Sequence, residues 1–196
     1  FERILNQHLH CFPKSYRTFI DSLDSWIDQK LDMGKLLRDN FHYVGKISYV
    51  PHHLSHAAAS FFPSRFKDAV VVTLDGVGEW ATTAVGFGKG DIVRLDRQID
   101  FPHSLGLFYS TITAYLGFKV NSDEYKVMGL AAYGDSKSFQ RQMDGLISQF
   151  RDGSYALNMK YFDYVWADHM PSKNMTALFG LPIRKEKDEI QREHEN

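Results

Sequence analysis

The sequence predicts an α/β protein, and three observations support that class. Apolar residues recur at steps of three and four within Lys14–Asn40, which is typical of an amphipathic helix. The continuous apolar run within Lys67–Leu74 is typical of a buried strand. Helix-like and strand-like segments alternate along 196 residues that are 43% apolar and 14% aromatic. This composition suits one packed domain, or one lobe of a larger one, and excludes a disordered chain.

The first part of the chain is predicted to contain a helix, a strand and a second helix. We expect the helix over Lys14–Asn40 to break or kink near Gly34. The segment Val44–Val50 has a β-like pattern that ends at Pro51. Because proline is well placed in a first helical turn, His52–Phe61 is predicted to be a short helix.

The middle of the chain is predicted to contain three strands and one helix. The strand Lys67–Leu74 is followed by Ala81–Gly88 and Ile92–Phe101, which alternate in polarity and are joined by a glycine-containing turn. Ser104 is the predicted N-cap of a helix over Leu105–Leu116.

The last third begins with a polar, glycine-containing segment, residues 121–134. We predict a helix over Ser136–Phe150, a strand near Tyr155–Val165 and a short helix around Met175. No internal repeat or low-complexity tract is present.

Composition excludes several functional classes. Lys and Arg total 23 and Asp and Glu total 24, so no basic excess indicates a nucleic acid or an anionic membrane as partner. The longest apolar run of the strand-like stretches, Ala69–Val72, is too short to span a bilayer. A single cysteine, Cys11, excludes an intramolecular disulfide framework and a cysteine-based zinc site. We expect a reducing, cytoplasmic location.

The strongest local motif is HHLSHA, at residues 52–57. On a helix, His52 and His56 lie on one face about 6 Å apart along the axis, where two imidazoles can bind one metal ion. Asp75, at the end of the predicted buried strand, is the candidate third ligand. No glutamate between the histidines could act as a base, which argues against a zinc protease. A histidine-rich helix start on the surface is the alternative interpretation.

Two further segments could bind an anion. In DGVGEW, the backbone amides of Gly76, Val77 and Gly78 could approach a phosphate, although an Asp-Gly pair also forms ordinary hairpin turns. In NSDEYKVMGLAAYG, Lys126 and the glycine at 129 could offer a cation and backbone amides to a nucleotide, and a solvated loop fits equally well.

Four sequence blocks together resemble one enzyme family. The blocks are HHLSHAAASFFPSRF, VVTLDGVGEWATT, FPHSLGLFYSTITAYLGF and NSDEYKVMGLAAYG. In this order and near this spacing they resemble the O-carbamoyltransferases of nodulation and antibiotic biosynthesis, from about Phe1 to beyond Tyr133. The resemblance implies a first domain similar to the tRNA-threonylcarbamoyl transferase. It also implies membership of the actin, Hsp70 and sugar-kinase superfamily, with a mixed sheet and flanking helices.

The resemblance also implies a reaction and its cofactors. Carbamoyl adenylate, made from carbamoyl phosphate and ATP by a second domain, would donate its carbamoyl group to a hydroxyl of a small molecule or sugar. An iron-like divalent metal, with zinc or manganese as alternatives, would be bound by His52, His56 and Asp75.

The resemblance implies an incomplete domain as well. We expect a fragment of the first domain: a mainly helical segment 1–44, a motif-bearing core 45–134 and a helix–strand–helix extension 135–196. The adenylate-forming domain would be absent, and the 196 residues alone inactive.

The remaining roles follow by chemical class. His53 and His103 are base candidates because histidine titrates near neutral pH, and Lys126 is a candidate for stabilising negative charge. The residues expected to bind the nucleotide are Gly76, Val77, Gly78, Asn121, Glu124, Lys126 and Gly129. A tRNA-modifying relative, a metal-dependent hydrolase and a non-catalytic nucleotide- or metal-binding module are the rival interpretations, and a homodimer is left open.

Overall fold

The computed structural model describes residues 2–27 and 32–196, which form two small antiparallel sheets with flanking helices. Among the described residues, the helices given bounds before the first strand are α1 (Glu2–Cys11), α2 (Tyr16–Ser25), α3 (Met33–Phe41) and α4 (His52–Phe61). The later elements are β1 (Asp68–Gly78), β2 (Ala81–Lys89), β3 (Ile92–Asp100), α5 (Leu105–Tyr115), α6 (Glu124–Ala131), α7 (Gln140–Asp144), β4 (Ile147–Gln149), β5 (Tyr155–Leu157), α8 (Lys173–Phe179) and α9 (Arg192–Glu195). Within the described ranges, every helix is too short or too polar to cross a membrane.

The larger sheet has the strand order β1-β2-β3, and α4 packs on one of its faces. Ala57 and Phe61 of α4 are buried against Val71 of β1, with Val93 and Leu95 of β3 packed around them. Alternation along β1 explains this packing, because Val71 and Thr73 are buried while Val70, Val72 and Leu74 are exposed on the other face. This contact fixes α4, and the histidines on it, beside β1.

A second core lies beneath α5. Tyr115 of α5 is buried with Leu146, Leu157, Phe162 and Met175, and these residues join α5 to the β4–β5 hairpin and to α8. The core therefore fixes α5, whose N-terminal end lies close to the end of β1.

Several predicted elements are confirmed. The helix over His52–Phe61 has the predicted bounds. The three central strands and the turn between β2 and β3 are present, with Gly90 at a φ of +59° in that turn. Ser104 caps α5 by accepting a hydrogen bond from the Leu107 backbone N–H at 3.0 Å.

One of two N-terminal predictions is wrong. The predicted long helix is two helices, α2 and α3, and α3 begins at Met33, next to Gly34, where Asp32 accepts a hydrogen bond from the Lys35 N–H. The predicted break near Gly34 is therefore confirmed. Residues 28–31 of that prediction lie outside the described residues. The segment Val44–Val50 is not a strand, because no described strand pairs with it and a β ladder requires a partner.

The C-terminal predictions also need correction. Instead of one helix over Ser136–Phe150, the chain forms the short α7, which stops at Gly145, and then the strand β4. A hairpin turn with Gly153 at a φ of +84° joins β4 to β5. The predicted strand Tyr155–Val165 ends at Leu157, where Asn158 caps a single 3-10 turn. The apolar residues that suggested longer elements are instead drawn into the core beneath α5.

The α/β class is confirmed, but the mixed sheet is not, because all strand pairs in the described residues are antiparallel. Short turns between consecutive strands explain this, since parallel neighbours need a long crossover. The likeness to actin, Hsp70 and sugar kinases stays a prediction, as do the proposed segment boundaries.

Candidate metal centre

Two histidines of α4 and one aspartate of β1 converge at a single point. The Nε2 atoms of His52 and His56 lie 3.0 Å apart. Both face one carboxylate oxygen, the Oδ2 of Asp75, at 2.5 Å from His52 and 3.2 Å from His56. In the part of the chain that the structure describes, this is the one group of three or more His, Cys, Asp or Glu residues arranged to hold a metal ion.

The donor atoms fit a divalent metal. Two ligands at right angles, each about 2.1 Å from an ion, are about 3.0 Å from one another. The separations of His56 from His52 and from Asp75 are close to that value, and the shorter separation of His52 from Asp75 is that of a strong hydrogen bond. Imidazole and carboxylate donors suit zinc, iron and manganese. Side-chain exposures of 42%, 55% and 33% leave room for further ligands.

An irregularity in β1 positions the aspartate. The pairing register with β2 shifts between Leu74 and Gly78, so Asp75 lies in a bulge inside the strand and not at its end as predicted. The hairpin turn falls at Glu79–Trp80, with Glu79 at a φ of +63°, and not at Asp75–Gly76. The bulge re-aims the Asp75 side chain toward α4.

Hydrogen bonds hold Asp75 in this orientation. The Gly76 N–H donates to Oδ1 at 2.6 Å, which leaves Oδ2 to the histidines. The Ser104 hydroxyl donates to the Asp75 backbone carbonyl at 3.0 Å, so the cap of α5 also fixes the bulge. Partial burial acts to raise the pKa of Asp75, but hydrogen bonds from His52, Gly76 and His56 outweigh it. The pKa therefore lies below its ordinary value.

Two glycines allow the close approach of these elements. A Cβ at position 78 would overlap the ring of His52, and a Cβ at position 106 would lie 2.7 Å from the Asp75 carbonyl group. Side chains at these positions would therefore displace His52 or Asp75.

His53 points away from the three donors into the sheet. Its Nδ1 lies 2.7 Å from the Thr73 hydroxyl and its Nε2 lies 2.9 Å from the Ala81 carbonyl, and the residue is buried. Because a carbonyl only accepts, Nε2 carries a proton and donates it to Ala81, while the Thr73 hydroxyl also lies 3.4 Å from the Ala84 carbonyl. Both nitrogens are thus engaged, and a catalytic role for His53 stays a prediction.

The other two predicted catalytic residues have partners of their own. His103 Nδ1 accepts a hydrogen bond from the Leu157 N–H at 3.1 Å, and burial lowers the pKa of His103. In the neutral ring, Nε2 then carries the proton and can only donate. Lys126 of α6 forms an ion pair with Asp123 at 2.9 Å, and the hydrogen bond to Asp123 raises the pKa of Lys126.

The residues predicted to bind a nucleotide fall in two places. Gly76, Val77 and Gly78 belong to β1 beside the three donors. Asn121 adopts a φ of +63° and its N–H donates to the Glu124 carboxylate at 2.7 Å, at the start of α6. Gly129 lies within α6, with no atom within 4 Å of the position a Cβ would occupy. Within residues 121–134, the helix α6 covers Glu124–Ala131.

Sequence reasoning missed one functional connection. Ser104 is the predicted cap of α5, and its hydroxyl also donates a hydrogen bond to the backbone carbonyl of Asp75. No local signal predicts this contact, because it joins residues 29 positions apart.

The sequence matches one family model and is similar to several known proteins. The sequence model of the family described as carbamoyltransferase N-terminus matches residues 1–196. The chain is 44% identical over 192 residues to the protein sll1178 of Synechocystis sp., covering 94% of this chain and 31% of that protein. It is 31% identical over 173 residues to the nodulation protein NolNO of Sinorhizobium fredii, covering 87% of this chain and 24% of that protein. The chain thus spans less than a third of the length of either relative.

Proposed function

The chain belongs to the carbamoyltransferase N-terminus family, and from that premise we propose that it forms part of a metal-dependent O-carbamoyltransferase. The donor is carbamoyl adenylate, made from carbamoyl phosphate and ATP elsewhere in the protein, and the acceptor is a hydroxyl of a small molecule or sugar. The observation that carries the metal-dependent part is the convergence of two imidazoles and one carboxylate within 3.2 Å of one another.

His52, His56 and Asp75 are the proposed ligands of the metal. A divalent ion bound there supplies Lewis-acid polarisation of a carbonyl or phosphate oxygen. Ser104 and Gly76 hold the Asp75 group in place, which is the positioning role that hydrogen bonds behind metal ligands ordinarily play. The open side of the three donors is where substrate oxygens would approach.

The proposed nucleotide site lies along the bulge of β1. The backbone groups of Gly76–Gly78 stand beside the donors, and the α6 segment with Asn121, Glu124, Lys126 and Gly129 is the second proposed contact. Lys126 would have to exchange its partner Asp123 for a phosphate oxygen, which is reasonable for an ion pair at the surface.

The experiment compares substitutions of the three proposed metal ligands in the full-length protein. Carbamoyl phosphate, ATP and a panel of hydroxylated acceptors are supplied, and the carbamate ester and AMP are measured with bound metal. His52→Ala, His56→Ala and Asp75→Ala should each lower metal occupancy and transfer by 10- to 100-fold or more. His169→Ala is the matched control, because His169 also contacts two carboxylates but lies outside the three donors.

The outcomes separate this proposal from its rivals. If all three variants retain bound metal and carbamoyl transfer, these residues are not the metal ligands. Modification of tRNA without transfer to small hydroxyl compounds would favour the tRNA-modifying relative, and metal binding without turnover would favour a binding module. We also propose that the 196 residues alone are inactive, so turnover by the isolated chain with synthetic carbamoyl adenylate would contradict this division of labour.

A further inference from the structure

A cavity of about 270 Å³ lies between α1, α2 and the start of α5, apart from the three proposed metal ligands. Its polar and ionisable lining includes Arg3, His8, Ser15 and Ser22, and Val77 and Leu107 form the wall toward β1. Phe19 and Phe101 add aromatic surface. Polar groups converging on a concave, partly aromatic space are typical of a small-molecule site.

The Ser15 hydroxyl orients the ring of His8. It lies 3.1 Å from the His8 carbonyl, to which it can only donate, and 2.9 Å from His8 Nδ1. Both hydrogen bonds form together when Nδ1 carries the ring proton, and in that tautomer Nε2 keeps its lone pair. Within residues 2–27 and 32–196, no hydrogen bond to Nε2 is present.

Packing fixes the orientation of this ring. It stacks on Phe19, with 4.1 Å between ring centroids and 8° between the planes. Ser15 is itself 3% exposed, so the hydrogen bond to Nδ1 is shielded from water. A histidine with one nitrogen bonded to an orienting group and the other free has the arrangement of a general base.

Arg3 gives the cavity its charge. The guanidinium lies 5.0 Å from the centroid of the Phe101 ring and donates one hydrogen bond to Gln7 at 3.0 Å. In the described chain no carboxylate lies within ion-pair distance of Arg3, and the cavity lining contains no acidic residue. The remaining N–H groups suit a neutral or anionic oxygen-rich ligand and disfavour a polycation.

Residues that line the cavity are connected to the proposed metal centre through the backbone around Asp75. Val77 is two residues from Asp75, and the N–H of Leu107 bonds the Ser104 hydroxyl that holds the Asp75 carbonyl. A neighbouring depression shares Arg3 and Val77 with the cavity, is also lined by Glu2 and Glu79, and extends to Trp80. A groove that begins at Trp80 continues to His52.

We propose that this cavity binds the acceptor of the carbamoyl transfer, a neutral or anionic hydroxylated compound such as a sugar, and that His8 Nε2 removes the proton from its hydroxyl. The inference rests on the proposed function. The acceptor oxygen forms a bond to the carbamoyl carbon while the bond from that carbon to the adenylate phosphate oxygen breaks. The electron pair leaves with AMP, and the acceptor proton passes to Nε2 and then to solvent.

The test compares His8→Asn with His10→Asn in the full-length protein. An asparagine amide can still donate to Ser15 from near the position of Nδ1 but has no counterpart of Nε2. His10 lies on the same helix, exposed, and contacts only the Asn6 carbonyl among the bonds described. His8→Asn should lower carbamoyl transfer by 10²- to 10⁴-fold and leave metal content and pyrophosphate release from ATP unchanged. His10→Asn should change none of the three.

A measurement on the unmodified protein does not depend on folding of a variant. Bound acceptor should slow the modification of His8 by diethyl pyrocarbonate, measured by peptide mass spectrometry, while His10 reacts at the same rate. Transfer by His8→Asn within twofold of the unmodified protein, or no protection of His8, would overturn the inference. If the unmodified protein makes no carbamate ester at all, the proposed function fails instead.

Acceptors of different charge test the ligand class. A neutral sugar, a sugar acid and a polyamino sugar with comparable hydroxyls are supplied at equal concentration. Transfer to the first or second should exceed transfer to the third at least tenfold. Transfer confined to the polyamino sugar would overturn the assignment of the cavity to the acceptor.

Discussion

Gly78 lies directly against the imidazole of His52, so closely that a Cβ at position 78 would overlap the ring. This contact joins the end of β1 to the first turn of α4 and sets how near His52 comes to Asp75. The site therefore depends on the absence of a side chain as much as on the three donors.

Gly78→Ala should displace His52 and weaken metal binding by roughly 10- to 100-fold, as expected when a ligand is mispositioned. The measurement is metal affinity by competition with a chelator. Gly129→Ala is the matched control, since a methyl group there meets open space and alanine favours a helix by about 0.5–1 kcal/mol. Unchanged affinity in Gly78→Ala would mean that the ring of His52 can move without cost to the site.

Ser104→Ala should remove both the cap of α5 and the bond to the Asp75 carbonyl. We expect a loss of about 1 kcal/mol in the free energy of unfolding, together with a lower metal affinity. Ser172→Ala removes a similarly buried cap, that of α8, which does not contact the three donors. Ser172→Ala should lower the free energy of unfolding by a similar amount and leave the metal affinity unchanged. Equal metal affinities in the two variants would contradict a positioning role for Ser104.

His53→Ala should destabilise the protein without removing the metal. The substitution leaves the Thr73 hydroxyl and the Ala81 carbonyl without their ring partner in a buried place, which costs about 1–3 kcal/mol. Urea unfolding and metal analysis give the two measurements, with His10→Ala as an exposed control. Loss of metal from a stably folded His53→Ala protein would instead place His53 among the ligands.

His103 should make stability depend on pH on the acidic side of neutrality. Burial lowers its pKa, so the unfolded chain binds a proton at higher pH than the folded one. The stabilisation is complete above about pH 6.5, the ordinary value for histidine, and is lost as the pH falls below it. His103→Asn keeps an acceptor for the Leu157 N–H but does not titrate, so it should flatten this part of the curve. The check is to measure the free energy of unfolding of the unmodified protein and of His103→Asn at pH 7.5 and 5.5. If this free energy changes equally with pH in both proteins, His103 is not the source of the pH dependence.

The sequence by itself determined the elements whose signals are local. Pro51 indicates the start of α4, the apolar run that ends at Leu74 indicates β1, and Ser104 indicates the start of α5. The i, i+4 spacing of His52 and His56 fixes their common face, because helical periodicity alone places them there. Four long sequence blocks also sufficed to identify the family, which the match over residues 1–196 confirms.

Only the tertiary structure decided what lies beside these elements. The bulge that turns Asp75 toward the histidines depends on pairing with β2, and the bond from Ser104 crosses 29 positions of sequence. The helix predicted over Ser136–Phe150 is replaced by the short β4–β5 pair, because Leu146 and Leu157 are buried in the core beneath α5. Val44–Val50 has a strand pattern but no strand beside it among the described residues. Periodicity specifies how a backbone runs, whereas pairing, burial and close approach depend on residues that meet only when the chain has folded.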